Sequence, residues 1–198
     1  SKEYADQLAE FIRQMPAVDG TVTVSMEKEE PPLPFNLTEL RVYCEKKWGY
    51  TPNQVLDITQ SLRDKYNAIS YNRSDCQYLS SDQFQEAPAV MACVTKNINF
   101  SPKGMDMSIK SRAFDDKYIE DSGAVAHLAI IPQAVDLDLG KLTVQEKNVY
   151  LAICQFYMMQ FMPPAEKQKT KFTCPAPNNG TLDAVSSQNV SSQYEAAY

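Results

Sequence analysis

The sequence predicts a mainly helical fold flanked by short strands, and three observations support this prediction. Apolar residues recur at helical spacing over residues 36–66, in two runs separated by Gly49. Residues 150–162 are apolar almost all round and end at Pro163-Pro164, which predicts a buried helix. By contrast, residues 21–26 alternate polar and apolar side chains, which is typical of a half-buried strand.

The predicted helices have identifiable starting points. An amphipathic helix is expected over residues 2–14. The second helix of the central pair begins after Thr51, because the spacing of this residue to Gln54 fits a capping box. Further helices are expected to begin near Ser81 and Thr143. The central pair forms a helix-turn-helix-like unit, although such pairs are more often simple packing motifs.

Length and composition limit the class of protein. The 198 residues, 43% of them hydrophobic, are enough for one or two domains with a core. No apolar stretch approaches the roughly 18 residues of a membrane span, and the first residues do not resemble a secretory signal. Five cysteines without a C-x-x-C pair suggest reduced thiols, and a single histidine excludes a His-rich metal site. We therefore expect a cytoplasmic protein without a membrane partner.

The charge distribution bears on nucleic-acid binding. The net charge of −6 is unfavourable for a protein that binds the phosphate backbone. However, residues 41–117 carry 11 Lys and Arg against 9 Asp and Glu, a local net charge of +2. The flanking segments are acidic, with 3 against 8 in residues 1–40 and 5 against 8 in residues 118–198. A local basic groove and an ordinary solvated surface both fit these counts.

One polar loop between predicted helices carries candidate chemistry. It contains Tyr71 followed by Arg73, Ser74 and Asp75. A tyrosine can act as a covalent nucleophile, and an arginine two residues later can bind a phosphoryl group, while the serine and aspartate can orient both. The same residues also suit a solvent-facing turn, so the loop alone does not decide between catalysis and a structural role.

The loop is one of four motifs whose order along the chain helps to interpret it. In chain order, the motifs are Pro31-Pro32-Leu33-Pro34-Phe35-Asn36-Leu37-Thr38, Gln54–Leu62, Ile69–Ser80 and Ala126-His127-Leu128-Ala129-Ile130-Ile131-Pro132. Their order and content resemble type IA DNA topoisomerases over roughly residues 17–174. The Ser-Asp-Cys sequence after Arg73 is closer to the topoisomerase III branch than to the topoisomerase I branch.

The resemblance implies a role for several residues. In that family the motif tyrosine attacks a backbone phosphate of single-stranded DNA, forms a 5′-phosphotyrosine link and releases a 3′-hydroxyl; Tyr71 matches it. Arg73 resembles the arginine that contacts the scissile phosphate, and His127 resembles the residue that holds a nearby phosphate. Without the family, a buried structural histidine beside residues 129–131 would be the preferred interpretation. The resemblance also implies DNA contacts from Ser74, Asp75 and Gln60.

The resemblance further implies a domain organisation. We expect a flanking helix and arch-domain strand over residues 1–34, and a helical tyrosine domain with helix-turn-helix (CAP-like) elements over residues 35–164. Residues 165–198 are expected to hold a return strand and a tail that is either disordered or a short connection. The acidic, Mg²⁺-binding domain of the family has no counterpart in these residues. The chain should therefore be a central part of the enzyme, inactive alone and without a cofactor of its own.

Departures from the family pattern occur at four positions. Asn72 stands where proline is frequent, and Gln133 where threonine or serine is common. Arg41 replaces a usual glutamine, and Arg63 replaces a common aromatic residue. None of these departures affects the nucleophile itself.

The partners and alternatives complete the sequence-based prediction. The expected partners are single-stranded DNA and the remaining domains of the same enzyme, with the protein acting as a monomer. Asp115, Asp116 and Lys117 resemble the stretch before the family histidine, but adjacent acids in a loop are more often solvated than metal-binding. The alternatives are a non-catalytic helical DNA-binding or scaffold module and, less well supported, a tyrosine recombinase.

Overall fold

The computed structural model describes residues 2–14, 19–122, 127–176 and 180–191. Within these ranges the chain forms six α-helices and three strands, with one 3₁₀ turn at Leu139–Lys141. The elements are α1 (Lys2–Gln14), β1 (Thr21–Glu29), α2 (Leu37–Trp48), α3 (Pro52–Asp64), α4 (Ser81–Ile98), α5 (Asp116–Ser122), α6 (Val144–Met159), β2 (Ala165–Ala176) and β3 (Gly180–Ser191).

The fold is mixed α/β, so the prediction is confirmed in part: the helices and flanking strands are present, but the chain is not clearly mainly helical. The strands are longer than the sequence pattern indicated, with 9 residues in β1 and 12 in each of β2 and β3. Contacts divide the chain into two units. One unit contains α1 and the three strands, and the other contains residues 30–164 with α2 to α6.

The sheet is antiparallel in the order β1-β2-β3. Its register runs from Thr21 opposite Thr173 to Glu29 opposite Ala165. Every residue of β1 is exposed, and Val22 retains 60% of its accessible surface, so the prediction of a half-buried strand is wrong. The prediction missed β3, because it lies in a segment with few large apolar residues and is formed by pairing with β2.

The central helices begin and end where their sequence predicts. The side chain of Asn36 accepts a hydrogen bond from the Glu39 amide and caps α2, which ends at Gly49 with a left-handed φ of 71°. Thr51 and Gln54 form a reciprocal capping box at the start of α3. Corresponding boxes start α4 and α6, so these local predictions are confirmed.

The core of the helical unit surrounds α6. The side chains of Tyr150, Ile153, Tyr157 and Phe161 are almost fully buried there, which confirms the prediction of a buried final helix. Leu40 of α2 belongs to the same cluster, as do the buried apolar residues of α3 and α4. Burial of these apolar side chains provides most of the driving force for folding of residues 30–164, at about 25 cal/mol per Å² of apolar surface removed from water. The core thereby fixes the position of the loop that follows α3.

A membrane-spanning segment is not found among the helices of the described ranges, since none combines sufficient length with sufficient apolarity.

Candidate active site around Tyr71

The loop that carries Tyr71 is fastened to the segment 127–132 by a set of backbone and side-chain hydrogen bonds. The amide of Ser70 donates to the Ile131 carbonyl at 2.9 Å. The Ser70 hydroxyl donates to the Ala129 carbonyl and accepts from the Ile131 amide, each at 3.0 Å. Two segments that are far apart in sequence are therefore held in register immediately beside the candidate nucleophile.

The other end of the loop is held by the start of α2. The Leu37 amide donates to the Ser74 carbonyl at 2.9 Å, and the Asn36 side-chain amide donates to the Asp75 carbonyl at 3.0 Å. Since Asn36 also caps α2, this residue connects the helix start to the loop. The motif containing Asn36 and the motif containing Tyr71 thus meet in the fold.

Tyr71 is half-buried and its ring contacts two side chains from different parts of the chain. The ring stacks on the imidazole of His127, with centroids 4.0 Å apart and an interplanar angle of 27°. The guanidinium carbon of Arg63, in the last turn of α3, lies 4.8 Å from the ring centroid. His127 itself is exposed, so the alternative of a buried structural histidine is wrong.

A chain of polar contacts on α3 connects two arginines near this ring. Arg73 is exposed and donates from Nη2 to Gln60 Oε1 at 3.4 Å. Gln60 in turn donates to the Asp64 carboxylate, and Arg63 pairs with Asp64 at 3.7 Å. Gln60 and Asp64 of α3 therefore connect the side chains of Arg73 and Arg63.

Ser74 lies inside the unit instead of facing a ligand. It is fully buried, and its hydroxyl donates to the His127 carbonyl at 2.8 Å and accepts from the Cys76 amide at 3.1 Å. This placement argues against the predicted direct DNA contact of Ser74 and indicates that the residue positions His127. The side chain of Asp75 is exposed, while the backbone carbonyl of the same residue accepts the hydrogen bond from the Asn36 side chain.

Asn72, at the position where the family often has proline, ties the loop to α3. Its side chain is fully buried, and Nδ2 donates to Thr59 Oγ1 at 3.1 Å. The Oδ1 atom has no hydrogen-bond partner in the part of the chain that the structure describes. The hydrogen bond to Thr59 holds the backbone between Tyr71 and Arg73 against the helix, so the departure from the family pattern preserves an anchored loop.

Two other tyrosines are poor candidates for a nucleophile. The phenols of Tyr150 and Tyr157 lie in the core, and burial raises the pKa of both well above its ordinary value. A phosphate in solution could not reach them without unfolding of α6. Tyr71 differs, because it is only partly buried and has cationic groups nearby.

The adjacent acids at Asp115 and Asp116 act as local hydrogen-bond acceptors. Asp116 accepts from the hydroxyl and amide of Ser81, which lowers the pKa of this carboxyl below its ordinary value. Asp115 accepts from the Tyr118 amide at 3.0 Å and caps the start of α5. Across residues 2–14, 19–122, 127–176 and 180–191, no group of three or more His, Cys, Asp or Glu side chains could hold a metal ion.

Sequence reasoning missed two residues of this site. The sequence does not reveal the role of Ser70, because its partners Ala129 and Ile131 are distant in sequence, and only the motif around His127 points to that segment. In the sequence Arg63 is only a departure from the family pattern, although its helical position three residues after Gln60 places both side chains on one face of α3.

Comparison with known proteins gives consistent matches. The family model described as DNA topoisomerase matches residues 1–198. A DNA topoisomerase 3 from Vibrio cholerae is 34% identical over 168 residues, which are 83% of this chain and 25% of that protein. The Haemophilus influenzae DNA topoisomerase 3 is 34% identical over 176 residues, 87% of this chain and 26% of that protein.

A solved structure extends the likeness to the fold. Full-length topoisomerase I from Thermotoga maritima superposes with a TM-score of 0.62 at 22% identity, covering 98% of this chain and 31% of that chain. This chain spans about a quarter of the length of the curated relatives that it matches. The predicted resemblance is confirmed, and the chain belongs to the type IA DNA topoisomerase family, with topoisomerase III as the branch that its curated relatives represent.

Proposed function

We propose that this chain supplies the nucleophile of a type IA topoisomerase that cuts and rejoins single-stranded DNA. The phenol oxygen of Tyr71 attacks a backbone phosphate, the bond from phosphorus to the 3′ oxygen breaks, and a 5′-phosphotyrosine link forms. The phenol loses its proton, and the departing 3′ oxygen gains one. The reverse reaction rejoins the strand, and since the protein–DNA link keeps the phosphodiester energy, no ATP is needed.

The observation that carries the proposal is the environment of the Tyr71 ring. An imidazole and a guanidinium contact the ring, and the exposed Arg73 follows it by two residues. Cationic groups aimed at a phosphoryl centre stabilise the charge that develops during attack. Stacking on His127 restricts the ring orientation, so less freedom remains to be lost when the strand binds. His127, Asp75 and Gln60 are proposed to contact the DNA around this phosphate.

The complete reaction is proposed to use residues beyond this chain. We propose that the remaining domains of the same enzyme bind Mg²⁺ and close over Tyr71, as the resemblance to the family implies. Residues 35–164 would then be the catalytic tyrosine domain, with α2 and α3 as a CAP-like helix pair, and the sheet unit would belong to the arch. Alone, the chain should neither relax supercoiled plasmid nor cleave efficiently, and it should be a monomer.

The test compares two tyrosines of the same loop in the full-length protein. Tyr71→Phe should abolish the covalent adduct with a labelled single-stranded oligonucleotide and leave binding of that oligonucleotide largely intact. Tyr78→Phe is the matched control, since the ring of Tyr78 stacks on Tyr118 and phenylalanine retains that contact. An adduct that survives in Tyr71→Phe would exclude Tyr71 as the nucleophile. Binding without any adduct in the wild type would instead favour the non-catalytic DNA-binding module.

A further inference from the structure

We propose that Arg63 binds the same DNA phosphate that Tyr71 attacks, as a second phosphate-binding arginine beside Arg73. This inference rests on the proposed function of Tyr71. It assigns a ligand contact to a residue at which the sequence showed only a departure from the family pattern.

The position of Arg63 supports the inference. Its guanidinium carbon lies 4.8 Å from the centre of the Tyr71 ring, and its side chain is 39% exposed. The contact places the guanidinium against the aromatic ring, so a phosphate joined to the phenol oxygen would bring its negative charge near the Arg63 side chain. An arginine stacked on an aromatic ring retains its N–H groups at the edge of the guanidinium plane, where they are available to an anion.

The contacts of Arg63 with the described residues use little of its bonding capacity. Its ion pair with Asp64 is 3.7 Å long and exposed to solvent, and such pairs contribute little. Within the described residues, no hydrogen bond from the Arg63 guanidinium is found. Its five N–H donors can therefore bind an anion. Gln60 donates to the other carboxylate oxygen of Asp64 and also accepts the hydrogen bond from Arg73. A phosphate arriving at Tyr71 would therefore meet two guanidinium groups that are already oriented by one helix face.

A chemical double-mutant cycle tests the contact directly. Binding is measured with the full-length protein in a Tyr71→Phe background, so that no covalent link forms while the ring that Arg63 contacts is retained. Two oligonucleotides carry the mapped cleavage site, one with the normal phosphate at that position and one with an uncharged methylphosphonate. Arg63→Gln, Arg63→Lys and Arg73→Gln are compared on both. Lys65→Gln is the matched control, because it removes one charge from the same helix end while its ammonium faces Tyr66 instead of Tyr71.

Arg63→Gln should weaken binding of the normal oligonucleotide about fivefold to tenfold and should have almost no effect on binding of the methylphosphonate. It should also reduce the magnitude of the slope of log K against log salt by about 0.7, the value for one lost single-strand phosphate contact. Arg63→Lys should recover part of the affinity, since the charge remains. Lys65→Gln should change the affinity for both oligonucleotides by the same factor.

Two outcomes separate this inference from the proposed function. If Arg73→Gln weakens binding of the normal oligonucleotide more than binding of the methylphosphonate, and Arg63→Gln affects both equally, the Arg63 contact is wrong and the role of Tyr71 stands. If neither arginine variant distinguishes them, both the inference and the proposed phosphate site are wrong.

Discussion

The ring of Tyr71 stacks on the imidazole of His127, with the ring centroids 4.0 Å apart. The hydroxyls of Ser70 and Ser74 donate hydrogen bonds to the Ala129 and His127 carbonyls. These bonds hold the Tyr71 loop against the segment that carries His127. The stack therefore depends on a long-range arrangement, and each part of this arrangement can be removed separately.

Removal of the imidazole should slow adduct formation in the full-length protein. An aromatic stack of this kind contributes about 0.5–1.5 kcal/mol, so His127→Ala should lower the rate of adduct formation about twofold to twelvefold from the loss of ring orientation alone. His127→Phe keeps the stack without a hydrogen-bond donor. A rate for His127→Phe between those of the wild type and His127→Ala would show that orientation and DNA contact both matter. Unchanged adduct kinetics in His127→Ala would exclude a role for the stack.

Removal of the Ser70 hydroxyl should destabilise the chain and disturb the site. Ser70→Ala loses two hydrogen bonds of 3.0 Å to residues 129 and 131, which should cost about 1–2 kcal/mol of unfolding free energy. Urea denaturation of the chain measures this change. Ser101→Ala, at an exposed serine, should have almost no effect. Equal stability of the two variants would mean that the Ser70 hydrogen bonds contribute nothing.

Glu146 should make stability depend on pH. Burial alone would raise the pKa of this carboxyl, but hydrogen bonds from Ser61 and Thr143 outweigh burial and lower the pKa below its ordinary value of 4.5. The folded chain therefore binds this proton less readily than the unfolded chain. The stabilisation is fully present above pH 4.5 and is lost as the pH falls through the lowered pKa of the folded state.

Glu146→Gln isolates the charge, since glutamine can still complete the capping box with Thr143. At pH 7 this variant should be less stable than the wild type by about 1 kcal/mol, and the difference should shrink in acid. Urea denaturation at pH 7 and at pH 3 gives both values. A difference that stays constant between these pH values would contradict the linkage.

Gly49 should be sensitive to substitution despite having free space around it. Its φ is 71°, a conformation that residues with a Cβ atom rarely adopt, and an added Cβ would meet no other part of the described chain within 4 Å beyond its immediate neighbours. Gly49→Ala should therefore cost about 1 kcal/mol through backbone strain alone. Gly49→Asn should cost less, because asparagine tolerates the left-handed region. If the two variants lose equal stability in urea denaturation, strain at this residue is not the cause.

The sequence was informative wherever structure is determined locally. The capping box of Thr51 with Gln54 predicted the start of α3, because both partners lie within one turn. The length of β1 and the existence of β3 were not predictable in this way, since both depend on pairing with β2.

The same distinction applies to the site. The motif order located the loop of Tyr71, but not the contact between this tyrosine and Arg63, because that contact depends on how the loop returns to α3. Nor did the motif show that Ser74 is buried, since a polar residue in a loop is exposed by default.

The central claim is that the phenol of Tyr71 becomes joined to DNA, and peptide mapping tests it most directly. The full-length protein is incubated with a single-stranded oligonucleotide and Mg²⁺, denatured, and digested with nuclease and protease before mass spectrometry. The account predicts one modified peptide, containing residues 70–73, with a nucleotide joined through its 5′ phosphate to Tyr71. A nucleotide on another residue, or one joined through its 3′ phosphate, would contradict the account.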